Sequence, residues 1–136
     1  MMIVKTFVAP SPIHGLGSFA KELIPAGAIY WRFTKRFDGL IRKADVPPEG
    51  AEWTRTYCHS LGDDYLMVFP DDARFTNHSD HPNTLVRGID AIAIRDIQPG
   101  EEITEDYEQA ERALTAFFLC SPGMEEAGEH LVVEAA

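Results

Sequence analysis

Cysteine is scarce in this chain. Only Cys58 and Cys120 occur in 136 residues, too few for a disulfide framework or a four-thiolate zinc site. Cations are also few: 12 Lys and Arg stand against 22 Asp and Glu, for a formal net charge of −10. A direct grip on nucleic-acid phosphates needs clustered cations, so the balance speaks against it. It favours a basic protein or peptide as partner, because opposite potentials raise encounter rates. No apolar run reaches membrane-span length, and "MMIVKTFVAPSPIHG" lacks the long apolar segment of a signal peptide. An intracellular, cytoplasmic protein without membrane contact is therefore expected. There is no internal repeat, low-complexity tract or linker. What is present is ordinary globular composition, 45% hydrophobic and 25% charged, in a length that suits one domain with a sizeable core.

Short apolar runs broken by turn residues cover most of the chain. "MIVKTFVA", "AIYWRF" and "YLMVFP" have strand length and composition. "PSPIHGLGSFA" is a loop running into a strand, and "TLVRGIDAIAIRDI" reads as two strands about Gly88 and Asp90. Residues 36–64 are more polar and less periodic, and "VPPEGAEWTRTY" predicts a loop with a helical turn. After the turn "QPGEEI", "ITEDY" predicts a short strand. Ala110, Ala113, Leu114, Phe117 and Phe118 then recur at helical spacing, which "CSPGM" would end. The expected architecture is mostly β with one short C-terminal helix.

Three stretches carry chemistry. "HGLGSFA" holds Gly15 and Gly17, which let backbone approach a ligand or simply make a tight turn. "ARFTNHSDHPNT" concentrates hydrogen-bonding side chains, as either a solvated turn or a binding segment. His78, Asp80 and His81 within it could ligate a metal, although His14, His59 and His130 supply no matching pattern. "IRDIQPGEEITEDYE" sets Tyr107 among Glu101, Glu102, Glu105, Asp106 and Glu108. A tyrosine there could orient a cationic amine or be a strand aromatic at the edge of the core.

In order and spacing, these stretches resemble the SET-domain lysine methyltransferases. The second matches the family's R-F-x-N-H-S-C-x-P-N segment at Arg74, Phe75, Asn77, His78, Ser79, Pro82 and Asn83. The third matches G-E-E-L-T-x-D-Y at Gly100, Glu101, Glu102, Thr104, Asp106 and Tyr107, with Ile103 in the Leu position. The resemblance spans roughly residues 3–108 and is weak over 36–64. It implies small β-sheets around a pseudoknot, with a SET domain over 1–110 and a C-terminal extension over 111–136 packed on it. It implies S-adenosyl-L-methionine as cofactor, held by Gly15, Leu16, Gly17, Arg74, Phe75, Asn77 and His78, and no metal. Tyr107 takes the position of the catalytic tyrosine. Glu105, Tyr57 and Phe117 are the expected walls of a substrate channel, with Phe118 and Tyr65 as further candidates.

The chain departs from the pattern at three places. Asp80 replaces the family's usual cysteine, and the cysteine-rich zinc module that follows many members is absent. Glu105 stands two residues before the tyrosine, where many members carry Tyr or Phe. If both lie on one strand they face the same side, and Glu105 would enter the channel, act as a base or point to solvent. A lysine amine must be neutral to attack, so catalysis would rest on alignment and desolvation. A catalytically silent module that binds a basic peptide, a metal-dependent hydrolase using His78 and His81, and a homodimer all stay open at this point.

Overall fold

The computed structural model describes residues 1–119. Cys120, His130 and the "CSPGM" stop lie outside the described residues.

The hairpin of β1 (Thr6–Pro10) and β2 (Leu16–Ala20) turns back at the Pro/Gly-rich loop, with Phe7 opposite Phe19. β3 (Ile29–Arg32) follows, then β4 (Gly39–Arg42). The polar stretch after β4 contains more order than its composition predicts. It forms two 3-10 turns, the helix α1 (Ala51–Tyr57), and the strand β5 (His59–Leu61). No residue of α1 is buried, so the helix leaves no apolar stripe for a periodicity argument to detect. β5 is only three residues long, and it takes its place by pairing with β6 (Tyr65–Val68), which also carries β4 on its other edge.

β7 (Asn77–His78) comes next, then β8 (Thr84–Arg87) and β9 (Asp90–Ala93). β8 and β9 meet across Gly88, whose φ of 61° is the left-handed turn conformation glycine tolerates. With β3 they make a sheet of order β3-β9-β8. β10 (Thr104–Glu105) and α2 (Tyr107–Leu119) complete the described chain. "ITEDY" is thus not one strand, because the ladder ends at Glu105 and Tyr107 opens the helix. The strand-alternation argument linking Glu105 to Tyr107 fails for that reason. The boundary expected at residue 110 falls inside α2, which runs continuously past it.

The fold turns on a threaded segment. Residues 100–105 run beside β2, with Gly100 N–H donating to the Ala20 carbonyl at 2.7 Å and Ile103 N–H to that of Ser18 at 2.8 Å. On their other side β10 pairs in parallel with β7, Thr104 opposite Asn77 and Glu105 opposite His78. Asn83, 1% exposed, closes this knot. Its side chain accepts from Thr104 N–H at 2.8 Å and donates to the Glu102 carbonyl at 2.8 Å. Thr84 adds a hydroxyl bond to the Thr104 carbonyl at 2.6 Å. Threading of this kind is rare among folds, and the buried backbone groups it leaves must be paired by side chains. The Asn and Thr of the two motifs do that. Ile24, Leu40, Met67, Ile97, Ile103 and Leu114 form the apolar core around the knot. The small sheets and short C-terminal helix match the expected mostly-β class. No described helix is long and apolar enough to cross a membrane.

Candidate functional site

The loop between β1 and β2 is held by its own polar groups. Ser11 N–H donates to the Gly15 carbonyl at 2.8 Å, and the Ser11 hydroxyl accepts from Ile13 N–H at 3.0 Å. Gly15 has φ +46°, with open space where a Cβ would lie. Asn77 ties this loop to the knot: its amide donates to the His14 and Leu16 carbonyls at 3.0 and 3.1 Å. Between the loop and the knot lies a cavity of about 600 Å³. Gly15, Leu16, Arg74, Phe75, Asn77, His78, Tyr57 and Tyr107 all line it, beside Ile13, His14, Arg55 and Thr56. Eight residues far apart in sequence, each singled out from sequence, therefore share one cavity.

Arg74 lies over the Phe75 ring, 4.5 Å from its centroid, and donates to the Pro70 carbonyl at 3.0 Å. Phe75 meets Tyr57 edge-on at 5.8 Å, and Tyr57 in turn packs against Trp53 at 5.3 Å. These contacts connect α1 to the 3-10 turn before the knot, so α1 forms a cavity wall despite burying nothing itself. His78 accepts from Tyr107 N–H at its Nδ1, 3.1 Å away, and its Nε2 bonds Asp80 at 2.9 Å. Both ring nitrogens are thus used within the protein.

Tyr107 stands where this cavity meets a second, of about 100 Å³, whose walls include His59, Phe69, Thr76, Glu105 and Glu111. Its hydroxyl donates to the Thr76 carbonyl at 2.7 Å, which leaves the oxygen lone pairs as acceptors. Burial, then the Glu105 charge, push the phenol up to about 12, so the group is a neutral hydroxyl at ordinary pH.

Glu105 is 8% exposed and does not point to solvent. Its Oε1 lies 2.6 Å from His59 Nε2, and His59 Nδ1 is 3.3 Å from Glu111 Oε1. Glu111 also accepts from Ser60 N–H at 3.1 Å. Burial alone would depress the His59 imidazolium, but the Glu105 and Glu111 carboxylates outweigh it and raise it to about 9. The His59 ring meets Tyr107 edge-on at 5.2 Å and Phe69 at 5.5 Å.

Four residues named from sequence lie elsewhere. Gly17 does not line the large cavity; it is buried against Glu102, whose Oε1 would overlap a Cβ at that position. The glycine there makes room for the threaded segment. Phe117 lines neither cavity, because helix α2 directs it to the β8–β9 turn, where it covers Gly88 and packs on Phe118 at 5.0 Å. Phe118 itself belongs to the core, and Tyr65 packs against that core from β6.

His59, Glu111 and Arg55 were not identified from sequence. Glu111 lies four residues after Tyr107 on α2, hence on one face with it, but the strand expected over "ITEDY" hid that relation. His59 carried no signal, because a three-residue strand shows no period.

The large cavity fits S-adenosyl-L-methionine in size and donor chemistry. Its volume lies within the usual few-hundred-to-a-thousand Å³ of ligand sites. Aromatic rings of Tyr57 and Phe75 suit a flat base, and the guanidinium groups of Arg55 and Arg74 suit a carboxylate. Its lining holds no Asp or Glu. Among the described residues, no group of three or more His, Cys, Asp or Glu is arranged to hold a metal.

Known proteins carry the same pattern. The SET domain profile matches residues 15–108. A Schizosaccharomyces pombe histone-lysine N-methyltransferase, H3 lysine-4 specific, is 32% identical over 130 residues, 82% of this chain. The chain spans 14% of that relative's length. The crystal structure of a Plasmodium falciparum "putative histone methyltransferase" superposes with TM-score 0.56 at 22% identity, covering 76% of this chain and 93% of that one. A humanized mutant of the Chaetomium thermophilum Polycomb Repressive Complex 2, bound to an inhibitor, gives TM-score 0.59 at 23% identity, over 76% of this chain and 15% of that one. At these identities the two structures speak for the fold.

Proposed function

The chain belongs to the SET-domain family, and on that premise we propose that it transfers a methyl group from S-adenosyl-L-methionine to lysine side chains of a basic protein. The observation that carries this reading is the position of Tyr107. Tyr107 lines both the large cavity, walled by the loop and the Asn77–His78 strand, and the smaller one, and its hydroxyl is fixed by the Thr76 carbonyl.

In this reading Arg55, Arg74, Tyr57 and Phe75 hold the cofactor in the large cavity, and the loop tied by Asn77 shapes its floor. Bound, the cofactor would supply the methyl on a sulfonium, to be taken by the amine lone pair as the carbon–sulfur bond breaks and the sulfur becomes a neutral thioether. The substrate lysine enters the small cavity, gives its proton to water, and faces Tyr107. Tyr107 donates its hydroxyl proton to Thr76 and so offers only lone pairs to the polarised methyl, through C–H···O contacts that are individually weak. Alignment and exclusion of water supply most of the rate. The net charge of −10 draws a Lys/Arg-rich substrate.

The test is methyl transfer from labelled cofactor onto a mixture of histones and other basic proteins, read by mass spectrometry. Labelled lysine is the expected product. Cofactor binding in calorimetry without any transfer would leave a silent binding module, and neither binding nor transfer would end the proposal.

A further inference from the structure

The His59 clamp has no counterpart among the motif residues. Both of its ring nitrogens face carboxylates, Glu105 at 2.6 Å and Glu111 at 3.3 Å. A neutral imidazole has one N–H and can donate to only one of them; the imidazolium donates to both. The pair is buried, with side-chain exposures of 10% and 11%, where an uncompensated carboxylate would be costly. His59 therefore carries its charge for geometric reasons.

That charge has a consequence for a lysine in the small cavity. A lone carboxylate beside an ammonium favours the charged amine, which cannot attack. Glu105 alone would thus oppose the reaction. We propose that His59 is a positioning and charge-balancing residue of the transfer site: clamped as an imidazolium between Glu105 and Glu111, it offsets one of their two negative charges, so that the entering lysine meets a less acidic wall and releases its proton more readily. The inference rests on the methyltransferase reading above. The same clamp fixes the Tyr107 ring through its edge contact.

Other titratable groups surround the clamp. Arg55 and Arg74 line the same small cavity and assist loss of the amine proton. Tyr30 lies on the inner side, its hydroxyl held strongly protonated by burial and then by the Glu105 charge. Burial pushes the Glu111 carboxyl up, but the His59 bond, the Ser60 N–H and the His59 and Lys43 charges together hold it below its ordinary range. Cys58 is pushed up to about 11 by burial and stays neutral. None of these replaces His59 as the direct partner of Glu105.

The proposal is tested in the full chain by two independent readouts. The first is an imidazole NMR titration of His59, which needs no substrate. The wild type should hold the imidazolium to about pH 9, Glu105→Gln should lower the midpoint strongly, and Glu111→Gln should lower it less. A wild-type midpoint near the ordinary 6.5 would overturn the clamp. The second is the pH dependence of kcat/KM with a labelled basic protein. His59→Gln leaves Glu105 unbalanced, so its acid limb should move to higher pH by about one unit, roughly a tenfold loss at neutral pH. The double variant His59→Gln, Glu105→Gln should regain most of that loss, which a merely structural His59 would not allow. An unmoved limb in His59→Gln, or no regain in a folded double variant, overturns the charge-balancing role. If the wild type methylates no protein, the methyltransferase reading falls and takes this role with it, while the NMR titration separately decides the clamp.

Discussion

Asn83 and His59 are both buried polar residues at the centre of hydrogen-bond networks, and they do opposite work. Asn83 is a neutral amide that bonds the backbone of the threaded segment at Thr104 and Glu102. His59 joins side chains only, Glu105 from β10 and Glu111 from α2. A neutral side chain bonded to backbone fixes topology with little dependence on pH, since the Asn83 amide does not titrate and its one titratable partner, Glu101 at 3.4 Å, is held below the ordinary carboxylate range. A charged side chain between carboxylates is only as strong as its protonation state allows. The first network holds the knot in place, and the second sets the electrostatics of the cavity beside Tyr107.

Tyr107 meets the His59 ring and bonds Thr76 and His78 beside the knot, so its hydroxyl gives the sharpest separation of chemistry from architecture. Tyr107→Phe should reduce turnover by roughly 10²-fold or more, the scale of losing one preorganised polar group. Cofactor affinity by calorimetry should hold, and stability should fall by only about 1 kcal/mol for the lost bond to Thr76. Full activity in this variant would remove Tyr107 from the chemistry.

Next in size is the knot. Asn83→Ala strands the Thr104 N–H and the Glu102 carbonyl in a buried site, at a cost on the order of 3 kcal/mol. Urea melts at pH 6 and pH 9 should show the same loss. A loss that depends on pH would erase the contrast with His59.

The clamp predicts a pH-dependent stability of known sign. The folded His59 binds its proton more tightly than the unfolded chain does. Its contribution is complete below the unfolded value near 6.5 and is lost as pH rises through about 9. The full span is on the order of 3 kcal/mol. His59→Gln should flatten the melting curve across that window; an equally steep fall in the variant would assign the pH dependence to other groups.

The smallest effects distinguish the two glycines. Gly17→Ala pushes on the Glu102 side chain and should cost about 1–2 kcal/mol of stability through overpacking, with cofactor affinity kept. Gly15→Ala meets open space but holds a left-handed φ, costing about 1 kcal/mol at the edge of the large cavity, where affinity should also fall. If both variants lose affinity equally, Gly17 reaches the cofactor after all.

Much of the site was legible because its residues serve the backbone. Asn77, Asn83 and Thr104 satisfy main-chain groups, Gly15 takes a left-handed φ and Gly17 makes room for the Glu102 side chain, and such needs impose residue types and spacings that read as motifs. Residues 36–64 gave no comparable signal. α1 buries nothing, β5 exists only by pairing with β6, and Arg55, Tyr57 and His59 reach the site from elements too short to show a period. Glu105 illustrates the limit. Its position two residues before the tyrosine was readable, but whether it faced solvent, base chemistry or a partner depended on a histidine 46 residues earlier.

The sequence by itself therefore determined the mostly-β class, the family, the residues of the knot and most of the large cavity, since local backbone demands and charge balance are written residue by residue. Only the tertiary structure decided that Phe117 turns to Gly88, that Gly17 makes room for Glu102, and that His59 stands between Glu105 and Glu111. Those outcomes depend on where a helix face and a three-residue edge strand come to rest, and long-range packing leaves no period along the chain to read.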